Sequence, residues 1–185
     1  FQQAVMPLHN QVLEGNPETV AVVKNILNPV GKMNGYSLPV SAFTGMEDGQ
    51  FPLGAAAYEK RGVAVTVPEW DETKCIQCNN CAYVCPHATI RPYALTAEEA
   101  AAVPAGTRLV DVKAGKGKGV YKYTMGVSPL DCMGCGVCVG VCPTKAITMV
   151  PQEQELAEQE IWNHLVAKVS EKKDMQDNTV KGSQF

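Results

Sequence analysis

No apolar run in this chain approaches the roughly 18 residues needed to span a bilayer, and the mean hydropathy is −0.10. The sequence therefore excludes a membrane-spanning helix. Neither sign of charge is in large excess: 16 Lys+Arg stand against 19 Asp+Glu, a net charge of −3. That balance leaves out the basic footprint of a nucleic-acid binder. The first residues, Phe1-Gln-Gln-Ala, show no basic region followed by an apolar stretch, so no signal peptide is read. An initiator Met is also missing, and the expectation is a piece of a longer chain. No Gly-Lys-Ser or Gly-Lys-Thr occurs, and no dinucleotide fingerprint follows a strand, so nucleotide cradles are not indicated.

What is present is ordered cysteine. Eight Cys among 185 residues is about 4%, under the roughly 8–10% of disulfide scaffolds. They form two tight groups, Cys75, Cys78, Cys81, Cys85 and Cys132, Cys135, Cys138, Cys142. Each reads C-x2-C-x2-C-x3-C-P, closing on Pro86 and Pro143, and the groups repeat at an offset of 57 residues. Four disulfides would need strained bridges between near neighbours and a secretory context. Zinc ribbons join two separated C-x2-C knuckles, and a third and fourth Cys in one run is not that pattern. Iron–sulfur clusters remain, because bacterial cluster-binding runs have this spacing.

The spacing has a geometric reason. Two-residue gaps let one curled loop place three thiolates on three corners of a cubane. Its backbone N–H groups can then face the cluster sulfurs. Gly134, Gly136 and Gly140 would ease that curl in the second run, where the first uses Ile76, Gln77, Asn79 and Asn80. In bacterial runs of this kind the fourth Cys ligates the other cluster. One cluster is then expected on Cys75, Cys78, Cys81 and Cys142, the other on Cys132, Cys135, Cys138 and Cys85. With no ligand missing, both should be [4Fe–4S]. Eight thiolates and two oxidised cores would take the charge from −3 to about −7, which favours low potentials.

The rest of the chain reads as α+β. Asn16 and Pro17 open a helix with Val20, Val23, Ile26 and Leu27 as its apolar face, stopped by Pro29. Residues 34–51 should be irregular, and residues 62–67 a strand. Between Cys85 and Cys132 lies an insertion of 46 residues. Within it, Thr96 to Glu99 starts a short helix ending at Pro104. Residues 109–112 and 120–124 form a hairpin around a Gly-Lys tip. Short strands, at Ala88 to Ile90 and Ala146 to Met149, leave the two runs. Residues 152–169 read as one helix, with Leu156, Leu165 and Val169 buried and Trp162 at the edge. Ser170 to Phe185 reads as a polar arm.

The runs resemble the two-cluster bacterial ferredoxins, and the flanks narrow the resemblance. Leu38-Pro-Val-Ser-Ala-Phe-Thr-Gly-Met-Glu-Asp-Gly-Gln-Phe-Pro and Tyr58-Glu59-Lys60-Arg61-Gly62 stand before the first run. Leu130-Asp-Cys-Met-Gly-Cys-Gly opens the second, and Thr179-Val-Lys-Gly-Ser-Gln-Phe closes the chain. With these, the sequence is similar to pyruvate:ferredoxin (flavodoxin) oxidoreductase from about Leu38 onward. The resemblance implies three parts: residues 1–68 as a connecting segment with the Glu-Lys-Arg signature, 69–151 as a ferredoxin-like two-cluster domain, and 152–185 as a helix and linker toward a thiamine-binding domain. It implies electron relay from a third, proximal [4Fe–4S] cluster near thiamine diphosphate to external ferredoxin or flavodoxin. The parent reaction converts pyruvate and coenzyme A to acetyl-CoA and CO2. This chain alone should carry electrons without decarboxylating anything. A cytoplasmic, anaerobic setting and a homodimeric parent are further implications.

Other residues carry weaker signals. Lys113, Lys116, Lys118 and Lys122 could form a docking patch for an acidic partner, but alternating Gly and Lys is ordinary turn composition. Glu59, Lys60 and Arg61 have no chemical role that the physics requires. His87 could tune a cluster or stand idle at the surface; His9 and His164 have no partner in sequence. Tyr83 reads as packing, and Ile76, Val84, Met133, Val141, Ile90 and Ile147 as a dry shell around the clusters. Two other functions compete: a cluster-bearing subunit of another redox complex, such as a hydrogenase or formate dehydrogenase, and a metal-stapled structural domain.

Overall fold

The computed structural model describes residues 15–58, 60–113 and 120–175. Glu59, the Gly-Lys tip with Lys116 and Lys118, His9 and the closing Thr179 to Phe185 lie outside them. The chain divides into two compact units, Phe1–Gly62 and Val63–Phe185. The expected boundary after residue 68 lies within the strand Thr66–Trp70.

In the first unit Asn16 accepts the Glu18 N–H at 2.9 Å and Pro17 takes the first position of α1 (Pro17–Val22). The sequence predicts that Pro29 stops this helix, yet the chain continues through it. A π-helical turn (Val23–Leu27) intervenes, in which the Asn28 N–H reaches back five residues to the Val23 carbonyl. That wider turn moves the hydrogen-bond register past the proline, which sits near the start of α2 (Asn28–Gly31). Thr19, Val22, Val23 and Ile26 are buried, whereas Val20 and Leu27 are only half-buried. Residues 34–51 are irregular as predicted, with short 3-10 turns at Gly35–Ser37 and Val40–Phe43.

The second unit is a mixed helix-and-sheet fold. Strand β1 (Thr66–Trp70) starts later than the predicted strand, because its partner β5 (Ile147–Pro151) pairs only from Thr66 onward. As one half of a two-stranded ribbon, β1 tolerates Pro68 without losing a ladder bond on a second side. The inserted segment builds a three-stranded sheet in the order β2 (Ile90–Leu95), β4 (Lys122–Val127), β3 (Val110–Asp111). Helix α3 (Asn80–Val84) lies in the first cysteine run and α5 (Val137–Gly140) in the second. Helix α4 (Ala97–Ala102) carries the predicted capping box: the Glu99 N–H donates to Thr96 Oγ1 and the Thr96 N–H to Glu99 Oε2.

The helix expected over 152–169 is broken. A 3-10 turn (Gln152–Gln154) precedes α6 (Glu158–Lys168), and this resets the helical phase. Ile161, Trp162 and Leu165 become the buried face, while Leu156 falls in the connection and is exposed. Helix α6 packs closely on β4, where a Cβ on Gly126 would stand 2.9 Å from the Tyr93 ring and 3.0 Å from Leu165. Arg91 stacks over Trp162, 5.2 Å from the ring centroid.

Residues 170–175 are not the free polar arm that the sequence predicts. Lys172 is 5% exposed and Met175 is buried. The Lys172 ammonium lies 2.7 Å from Glu99, and the Ser170 N–H and O–H both donate to the same carboxylate. Burial opposes charge on Glu99, but Lys172, Ser170 and Thr96 outweigh it and lower its pKa to about 2. Because the folded pKa lies below the ordinary carboxylate value, this contribution is complete above about pH 4.5 and fades as pH falls toward about 2. Replacing Glu99 by Gln strands a buried ammonium, with an expected loss of about 3 kcal/mol. Denaturant unfolding should show the full difference at neutral pH and a narrowing difference below about pH 4.5.

Among the described residues, no helix is long and apolar enough to cross a membrane.

Candidate metal centre

The two cysteine runs repeat in backbone as well as in sequence. Gln77 (φ 59°) and Asn79 (φ 58°) take left-handed conformations, as do Gly134 (φ 68°) and Gly136 (φ 71°) at the same places in the second run. Ala88 (φ 51°) and Lys145 (φ 54°) repeat this beyond the fourth cysteines. Gly140 has no such role; it ends α5. The ladders repeat too. Trp70 pairs with Ile147 at the end of one, and Val127, its counterpart 57 residues on, pairs with Ile90 in the other.

A left-handed conformation costs a non-glycine residue about 1–2 kcal/mol, so Asn79 needs support. Tyr123, fully buried, supplies it by donating its hydroxyl to Asn79 Oδ1 at 2.8 Å. Burial, aided by the neighbouring thiols, pushes the Tyr123 phenol far up, so it stays protonated. At Gly134 the close approach is what matters: a Cβ there would stand 3.0 Å from the Thr66 carbonyl oxygen.

These turns create two hollows. Cys75, Cys78 and Cys81 line the first together with Cys142, and Trp70, Asn79, Met125 and Ile147 complete the wall. Cys132, Cys135 and Cys138 line the second together with Cys85, beside Thr89, Ile90 and Met149. Each hollow thus draws three thiols from one run and the fourth from the other. All eight cysteines are free, so the disulfide reading has no support in the fold. Among the described residues, no three His, Cys, Asp or Glu side chains converge closely enough to hold one ion. The thiols surround a space rather than a point, which suits a body with several corners. Soft thiolate donors suit iron–sulfur clusters.

Backbone amides address the sulfurs in matched pairs. Gln77 N–H donates to Cys75 Sγ and Gly134 N–H to Cys132 Sγ, both at 3.3 Å. Thr89 N–H donates to Cys85 Sγ at 3.3 Å and Ala146 N–H to Cys142 Sγ at 3.1 Å. Burial pushes the Cys81 thiol up to about 12 and Cys138 up to about 11, and also raises Cys132. Burial acts likewise on Cys85 and Cys142, but hydrogen bonds from Thr89 and Ala146 respectively, with others nearby, outweigh it and lower both. The two crossing cysteines therefore give up their protons more readily than the buried Cys81 and Cys138, which must release theirs when metal binds.

The predicted shell is partly present. Ile90 and Ile147 are buried, Val84 and Val141 are half-buried, but Ile76 and Met133 stand on the rims, about half exposed. Tyr83 is 53% exposed rather than packed inside. His87 is exposed on the wall of the second hollow.

Sequence spacing did not reveal Trp70, Tyr123, Thr89 or Arg108. Arg108 donates to the Trp70 carbonyl oxygen at 2.6 Å and pairs with Glu158 at 3.0 Å, tying the end of β1 to α6. The indole N–H of Trp70 is buried without a hydrogen-bond partner, a state that costs about 1–3 kcal/mol in a closed protein.

Comparison with known proteins accords with this geometry. A family model named EKR, described as a domain of unknown function, matches residues 8–64, and a 4Fe-4S dicluster domain model matches residues 74–146. The chain is 48% identical over 167 residues to pyruvate-flavodoxin oxidoreductase of Enterobacter agglomerans, covering 89% of this chain. It is 45% identical over 166 residues to pyruvate:ferredoxin oxidoreductase of Moorella thermoacetica, covering 88%. The chain is homologous to a segment of the pyruvate oxidoreductases. It spans 14% of the length of these two relatives. A pyruvate dehydrogenase [NADP(+)] of Cryptosporidium parvum is 42% identical over 177 residues, covering 94% of the chain and 9% of that relative.

Proposed function

We propose that this chain binds two [4Fe–4S] clusters and relays single electrons within a pyruvate (2-oxoacid):ferredoxin or flavodoxin oxidoreductase. Cys75, Cys78, Cys81 and Cys142 would hold one, and Cys132, Cys135, Cys138 and Cys85 the other. When bound, such clusters supply one-electron donor and acceptor chemistry. The thiolates grip, the paired amides offset negative charge at sulfur, and Ile90, Ile147 and Met125 keep water away. The observation that carries this reading is the pair of hollows, each closed by a cysteine from the opposite run.

The names of the relatives add an argument. They share pyruvate and differ in acceptor, naming flavodoxin, ferredoxin or NADP(+). A segment matched by all of them serves an internal step common to all more naturally than it selects the acceptor. In this reading thiamine diphosphate, coenzyme A and a third cluster would belong to other domains of the parent, and external ferredoxin or flavodoxin would be the outlet.

Anaerobic iron and sulfide analysis with an EPR-monitored redox titration tests this. Two reducible clusters with interacting spins are expected. Iron-free, zinc-replete protein, or clusters that dithionite does not reduce, would sink the relay.

A further inference from the structure

Trp70 closes β1 at the wall of the first hollow and is 2% exposed. Its placement is fixed from several sides. The carbonyl oxygen accepts from Arg108, and the ring meets Tyr123 edge-on at 5.8 Å and 60°. Its Cα partner across the ribbon is the buried Ile147. The indole nitrogen can only donate, and no acceptor is in reach. Among the described residues it is the sole buried side-chain nitrogen or oxygen without a partner. Cysteine sulfurs line the same hollow, but none of them accepts this proton. The other hollow has no counterpart, since the position 57 residues on is Val127.

A buried, unpartnered donor on a residue that lines this hollow is what a group absent from the polypeptide would satisfy. We propose that the Trp70 indole N–H donates a hydrogen bond to a sulfur of the cluster held by Cys75, Cys78, Cys81 and Cys142, making Trp70 a one-sided tuner of that cluster's potential. The inference rests on the iron–sulfur reading above. Reduction adds negative charge to the cluster, so a donor aimed at sulfur favours the reduced form more than the oxidised form. Trp70 therefore raises the potential of one cluster and leaves the other alone, separating two sites that the repeat would otherwise make alike.

The test compares the native holoprotein with Trp70→Phe and with a protein whose Trp70 indole is replaced by its benzothiophene isostere. The isostere keeps the shape and removes only the N–H, so it decides the matter even if Trp70→Phe fails to load iron. In the isostere, iron content should stay native. The midpoint potential should fall for one EPR signal only, the one that Cys142→Ala abolishes. An exchangeable proton coupling on that signal, seen by electron–nuclear double resonance in H2O against D2O, should vanish. Unchanged potentials and an unchanged coupling would overturn the proposal and leave a buried water as the indole's partner. An equal shift of both clusters would overturn it too. Native protein without iron would instead refute the cluster reading itself.

Discussion

Cys142→Ala, a change in the second cysteine run, is expected to remove the cluster seated on the first. Its sulfur lines the hollow of Cys75, Cys78 and Cys81, not that of its own run. The variant should lose about half of the bound iron and share its remaining EPR signal with Cys78→Ala. Cys135→Ala should leave the opposite signal. If Cys142→Ala matched Cys135→Ala instead, each run would be filling its own hollow and the crossed arrangement would be wrong. Cys85→Ala gives the mirror experiment and should pair with Cys135→Ala.

Stripping iron anaerobically should cost the second unit its cooperative fold. The central core of buried residues comprises Trp70, Cys81, Ile90, Tyr123, Met125, Val127, Cys138 and Ile147. Two of those eight are cysteines facing the hollows, and Trp70, Ile90, Met125 and Ile147 are wall residues. Without metal, the left-handed turns at Gln77, Asn79, Ala88 and Lys145 each cost about 1–2 kcal/mol, and only Gln77 and Asn79 gain side-chain hydrogen bonds from the described residues of the inserted segment. Metal binding free energy is folding free energy in such sites. The expected loss is about 5 kcal/mol or more, comparable to the whole stability of an ordinary domain. Circular dichroism melts of stripped protein should lose the sharp transition, and iron with sulfide should restore it. A stripped protein melting as sharply as the native one would mean that the apolar core holds the fold without metal.

The cysteine pattern was readable from the sequence because cluster ligation imposes a fixed local spacing. The α4 capping box was readable too, since Thr96 and Glu99 lie within one turn. Features set by distant partners were not. The start of β1 depends on where β5 pairs, and the phase of α6 depends on a 3-10 turn that no periodicity announces. Lys172 looks like a surface residue until Glu99, 73 positions away, is seen beside it. The helix through Pro29 escaped because the proline rule assumes an α-helical register, and the π turn shifts it. Trp70 gave one faint signal. Aligning the halves at their 57-residue offset sets an indole against Val127, an asymmetry that only a buried, unpartnered nitrogen makes meaningful.

The exchange of fourth cysteines also bears on how the molecule is made. A ribosome releases Cys75, Cys78 and Cys81 long before Cys142, so the first hollow stays one wall short until most of the unit has been synthesised. The second can be completed sooner after its own run, because Cys85 is already waiting. Translation order therefore completes the thiol set of the later hollow at Cys138, while that of the earlier one waits for Cys142.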